Sequence, residues 1–231
     1  MAFTLVQQKA FVDTGAGVDP TIVLDAGATS GNLIVVALGH RRSDASATPV
    51  ISGAGSTGLT REYAYTDNTG GNKGVALFWK TASGGETTFT TVETQQWRYI
   101  AVAEFALPAG ATGVTWHDHA TATENTGASS LTVGVPDPSA DSMAWASFMA
   151  RDSSGSPPAF DSGFAAATAA QDFAVTWRDD AVSTPGNDVT GSYGTSRIAI
   201  AGSGVWTATG TAQLDAPSGF TFGTAGLILE G

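Results

Sequence analysis

The apolar residues of this chain come in short runs rich in Val, Ile, Phe, Trp, Tyr and Thr, each bounded by Gly, Pro, Asn, Asp or Ser. That is the pattern of strands and turns, and it constrains the fold more than any other feature. The clearest strands are Asn32–Leu38, Gly74–Lys80, Trp97–Phe105, Ser142–Ala150 and Arg197–Ala201. Weaker ones are Thr21–Leu24, Pro49–Ser52, Thr60–Tyr65, Thr87–Val92, Gly113–Asp118, Ser130–Val135, Ala174–Trp177, Val205–Ala212 and Gly226–Leu229. Turn signals stand between them, among them Thr69-Gly70-Gly71-Asn72, Ser83-Gly84-Gly85 and Thr184-Pro185-Gly186-Asn187. Strand signals at this density predict an all-β sandwich or barrel. One stretch, Gly163–Gln171, reads as a short helix because alanine has high helix propensity.

Several strands carry apolar or small residues on both faces. In Trp97–Phe105, the side chains of Trp97, Tyr99, Ala101, Ala103 and Phe105 point one way, and Ile100 and Val102 the other. Such a strand sits between two layers, with its outer face covered by loops or by a neighbouring subunit.

The chain also divides into two loosely similar halves, about 1–112 and 120–231. The openings Ser30–Ala37 and Ala140–Ser147 correspond, each followed by a polar loop with proline. The spacing then pairs Gly74–Thr91 with Ser196–Ala212, and Tyr99–Ala106 with Thr224–Leu229. A single β-sandwich domain over 1–231 with one shared core is the expectation. Two small β domains are the alternative, although the polar stretch Thr121–Ser129 is short for a tether.

Composition narrows the function classes. Charged residues make up 13% of the 231 residues, with three Lys among them, and the formal net charge is −11. An acidic surface repels phosphate backbones and anionic lipid, so nucleic acid and membrane insertion are not expected partners. No apolar run approaches membrane-spanning length. The first residues, MAFTLVQQKAFVDTG, lack the basic and apolar regions of a secretory leader. The absence of cysteine removes disulfides, thiolate zinc sites and a cysteine nucleophile.

Few residues suggest chemistry. His117 and His119 flank Asp118, and on a regular strand both imidazoles would share a side and could hold one Zn²⁺ or Ni²⁺ with further ligands. They are the metal candidates, against the reading of a polar strand end. Trp79, Trp97, Trp116, Trp145, Trp177 and Trp206 could stack on sugar rings or fill a core. Trp79, Trp97 and Trp145 lie in strongly apolar strands and read as core. Trp177 and Arg178, before Asp179-Asp180, read as the better surface pair. His40-Arg41-Arg42 follows an apolar strand and reads as a solvated strand end or as an edge that grips a carboxylate or a subunit, since arginine is enriched at interfaces. The carboxylates are scattered, and only Glu104 lies inside a strongly apolar strand. A glycosidase needs two placed across a cleft. Nucleophile-elbow, zinc-protease and phosphate-loop motifs are missing. No cofactor is expected, and no catalysis.

Three segments carry a resemblance: Gly31–Ala37; Gly74–Ala82 continuing into Ser83-Gly84-Gly85-Glu86-Thr87; and Trp97–Phe105. Gly223–Leu229 adds a looser match. Their strand rhythm resembles virion structural proteins of tailed bacteriophages, often labelled minor tail proteins. The resemblance implies a jelly-roll-like β-sandwich on the outside of a virion, made in the host cytoplasm, and it transfers no catalytic residue. The expected role is a non-enzymatic, tail-associated component of the tip, fibre or baseplate, with contact to the host surface. A head decoration protein is the alternative, and a carbohydrate-binding or glycan-cleaving module the further alternative. Expected partners are other virion proteins, further copies of the chain with a trimer favoured, and a host-surface glycan.

Overall fold

The computed structural model describes residues 2–13, 19–41, 50–67, 73–92, 97–135, 142–151, 159–160, 168–169, 173–179 and 188–210. In chain order the strands are β1 (Thr4–Asp13), β2 (Thr21–Val23), β3 (Leu33–Arg41), β4 (Ile51–Ser52), β5 (Thr60–Asp67), β6 (Lys73–Thr81) and β7 (Thr88–Thr91). They continue as β8 (Trp97–Ala106), β9 (Gly113–Val133), β10 (Ser142–Arg151), β11 (Ala159–Phe160), β12 (Thr168–Ala169), β13 (Phe173–Asp179) and β14 (Val189–Thr209). Among the described residues there is no helix, and the chain is an all-β sandwich.

Three antiparallel sheets build it. The first has the order β1-β8-β3-β6-β5. The second has the order β11-β14-β10-β13-β12, with β9 also paired along β14. The third is small, β2-β7-β4.

The two-faced strands explain the layering. Leu33, Val35 and Ala37 of β3 turn inward with Val75, Leu77, Tyr99, Ala101 and Phe105. They pack on Met143, Trp145, Phe173, Val175, Ile200 and Trp206 of the second sheet, forming one core shared by both halves of the chain. Ile34, Val36 and Leu38 turn outward with Ala76, Phe78, Ile100 and Val102, beneath Ile22, Leu24 and Phe89. The outer cover of the first sheet is therefore a third β layer together with its loops. Burying both faces is what makes continuous apolar strands stable in water.

The two large sheets share one connectivity. Taking β1, β3, β5, β6 and β8 as one set and β9, β10, β12, β13 and β14 as the other, both run in the order first-fifth-second-fourth-third. Across the sandwich β3 faces β10, while β1 meets β12 and β5 meets β9. The halves are thus related by an approximate two-fold. This corrects the correspondence expected from spacing. β6 matches β13, and β8 matches β14, because hydrogen-bonded neighbours define equivalence and loop lengths do not. Residues 224–229, the expected partner of Tyr99–Ala106, lie outside the described residues.

Two other expectations change. Thr168–Ala169, inside the stretch expected to be helical, pairs with Val175 and Ala174 as β12, and the rest of that stretch lies outside the described residues. Alanine's helix preference is worth less than a ladder partner. The polar stretch Thr121–Ser129 continues β9, which runs 21 residues beside the equally long β14.

Candidate functional site: an aromatic seam between two sheet edges

β5 is one edge of the first sheet, and β9 is an edge of the second. The two edges approach each other and close one side of the sandwich. Each carries a register slip. On β5 it falls between Arg61 and Tyr63, at Glu62. On β9 it falls between Trp116 and Asp118, at His117. Bulges of this kind twist an edge away from pairing with another strand and re-aim the flanking side chains.

The re-aimed side chains form an aromatic cluster. Tyr63 stacks on His119 with ring centroids 5.2 Å apart and planes 18° apart. Trp116 lies 6.3 Å from His119, nearly parallel to it. Trp206 meets Trp116 edge-on at 5.0 Å and Trp79 at 6.4 Å. The Trp79 indole donates from Nε1 to the Glu62 carboxylate. Tyr63 and Trp206 are buried, Trp79 and Trp116 are half-buried, and the His119 side chain keeps 41% of its surface exposed. Burial pushes the Tyr63 phenol well above its ordinary pKa, so it stays a neutral hydroxyl.

Two glycines of β14 make room for the seam. A Cβ on Gly202 would stand 2.4 Å from the Tyr63 hydroxyl. One on Gly204 would stand 2.6 Å from the Trp116 ring and 2.8 Å from Leu77. The sequence marks these glycines only as weak points of a strand.

The bulge also changes the reading of His117 and His119. Trp116 and His119 are three residues apart yet meet in one cluster, so simple alternation fails at His117. The His119 ring is taken up by stacking, and its Nδ1 lies 3.7 Å from the Asp118 carboxylate. Among the described residues no group of three or more His, Asp or Glu could hold a metal ion.

The other sequence candidates lie elsewhere. Trp177 is half-buried and packs edge-on against Phe105 at 5.0 Å, on the rim of the shared core. Arg178 follows it on β13, also half-buried. His40 is 3% exposed, which corrects its reading as a solvated strand end. β3 continues past it, flanked by β6 and β8, and the ring lies over Gly74, where a Cβ would come within 2.3 Å of Cε1. Arg41 ends β3, and Arg42 lies outside the described residues. Trp145 is core, as expected, Trp79 is half-buried and packs against that core, and the side chain of Trp97 lies outside the described residues.

Two acids of the first half are structural. Glu104 is fully buried and accepts from Gln7 Nε2 at 2.5 Å, Thr29 N at 2.8 Å and Asn32 Nδ2 at 2.6 Å. Glu86 pairs with Lys80 at 2.7 Å and accepts from the amides of Ser83 and Gly84. Gly84 and Gly85, with φ of 104° and 84°, supply the left-handed turn that folds Glu86 back.

The seam is thus an aromatic platform with Glu62 and Asp118 beside it. Chemically it suits stacking on the apolar face of a ring, with carboxylates to accept hydrogen bonds from hydroxyls. Comparison with family models, curated proteins and solved structures gives no match to this chain.

Proposed function

We propose that this chain is a non-enzymatic structural component of a tailed-bacteriophage virion, carried on the particle exterior and associated with the tail tip, fibre or baseplate. The observation that carries the reading is the position of the segments behind the resemblance. Gly31–Ala37, Gly74–Ala82 and Trp97–Phe105 lie side by side as β3, β6 and β8, the centre of the first sheet. The strand rhythm is therefore the framework of the fold and not a scatter of unrelated runs. A net charge of −11 also suits a surface that must not hold nucleic acid.

The test is antibody-gold labelling of intact particles from the source, with mass spectrometry to establish that the protein is present. Label on the tail is the expected result. Label over the head would make the chain a decoration protein. Absence from purified particles would remove the virion reading. Association into trimers is read by light scattering on the purified chain.

A glycan-binding reading is favoured by one observation, the half-exposed Trp116 beside the exposed His119. A glycan array checks it: Trp116→Ala should abolish any signal given by the parent chain. No signal from the parent would remove this reading and leave the structural role untouched.

A further inference from the structure

Lys73 opens β6 on the side that faces the second sheet, two residues before the inward-facing Val75. It is 1% exposed, in a chain with only three lysines. Its Nζ donates to Oδ1 of Asn125 at 3.3 Å. Asn125 belongs to β9, so the contact joins the two sheets at the edge where β5 and β9 share no ladder. The backbone around Asn125 is pinned. The Glu124 carboxylate accepts from Thr126 N at 2.7 Å, Thr126 Oγ1 at 2.5 Å and Gly127 N at 3.1 Å.

We infer that Lys73 and Asn125 become joined by an intramolecular isopeptide bond. The Nζ amine attacks Cγ of the Asn125 carboxamide. The Cγ–Nζ bond forms and the Cγ–Nδ2 bond breaks. Nδ2 leaves as ammonia, taking with it a proton lost from Nζ. The step needs no oxidant, metal or cofactor, and its driving feature is proximity held by the fold. The product is a covalent tie between sheets across 52 residues of chain. It would restrict the unfolded ensemble as a disulfide does, in a chain without cysteine.

The experiment is intact-mass measurement of the full chain, followed by peptide mapping. The expected result is a mass below that of the sequence by one ammonia, with a branched peptide linking Lys73 to Asn125. The deficit should vanish in Lys73→Arg and in Asn125→Ala. A full sequence mass with both residues in linear peptides, after prolonged incubation of the folded chain, overturns the inference. A deficit that persists in Lys73→Arg also overturns it, because it marks succinimide formation at an asparagine. If either variant fails to fold, the peptide map of the parent chain decides alone. The outcome is independent of where the protein sits in a particle.

Discussion

Asn32 reaches from the start of β3 to donate to Glu104 of β8 at 2.6 Å, and the acceptor is fully buried. This bond, with those from Gln7 and Thr29, ties the loop before β3 and the edge strand β1 to the centre of the first sheet. Glu104→Ala removes the acceptor from three donors at once. Gln7 and Asn32 are half-buried and Thr29 is exposed, so water meets the freed donors in part. Each lost bond costs about 1 kcal/mol, and the expected loss is about 3 kcal/mol in urea denaturation. A loss below about 1 kcal/mol would show that water replaces the carboxyl group without penalty.

Val102→Asp should prevent folding. Val102 is buried in the layer between the first sheet and the small third sheet. An aspartate there stands opposite Lys9 of β1, but the Lys9 ammonium is already held at the surface by Asp25 and the Val23 carbonyl. A buried charge without its own partner costs more than a small domain can spare. The check is circular dichroism together with a melting curve. A soluble variant that melts with the parent would refute the three-layer packing.

The Lys80–Glu86 pair makes stability depend on acid. Burial raises the Glu86 pKa, but the Lys80 ion pair and the amides of Ser83 and Gly84 outweigh it, holding the pKa at about 2 against an ordinary 4.5. A carboxyl group with a depressed folded-state pKa stabilises fully above its unfolded value, and the contribution fades as pH falls through the folded one. Stability should therefore decline between about pH 4.5 and pH 2. Denaturation midpoints across that range should show a shallower decline in Glu86→Gln than in the parent. Equal slopes would assign the acid sensitivity elsewhere.

Gly204→Ala should strain the seam. The new Cβ meets the half-buried Trp116 ring at 2.6 Å and the fully buried Leu77 at 2.8 Å. Overpacking of this kind costs about 1–3 kcal/mol. Tryptophan fluorescence should shift as Trp116 moves, and the melting temperature should fall. Unchanged fluorescence would mean that the seam yields without moving Trp116.

Much of the fold is legible in the residues. β3, β6, β8 and β10 are recognisable because their apolar runs are bounded by turns, and the covering of both faces follows from the composition of Trp97–Phe105. β1 carries Gln7, Gln8 and Lys9 among its apolar residues, so its pattern does not announce a strand. β9 and β14 show only in pieces, Gly113–Asp118 and Ser130–Val135 of one, Arg197–Ala201 and Val205–Ala212 of the other. The stretch between the pieces of β9, Thr121–Ser129, is polar and lacks the alternation that pattern reading needs.

The seam was legible only as parts. Trp79, Trp116 and Trp206 announce themselves by type, but Tyr63 and Glu62 gain a role only when β5 closes on β9. The sequence by itself determined the all-β class, the acidic surface and the burial of β3 and β8, because composition and local alternation act within single strands. The tertiary structure decided which strands correspond between halves, where the bulge at His117 turns Trp116 and His119 together, and that Lys73 meets Asn125. Those relations depend on register between strands far apart in sequence, and local pattern carries no record of register.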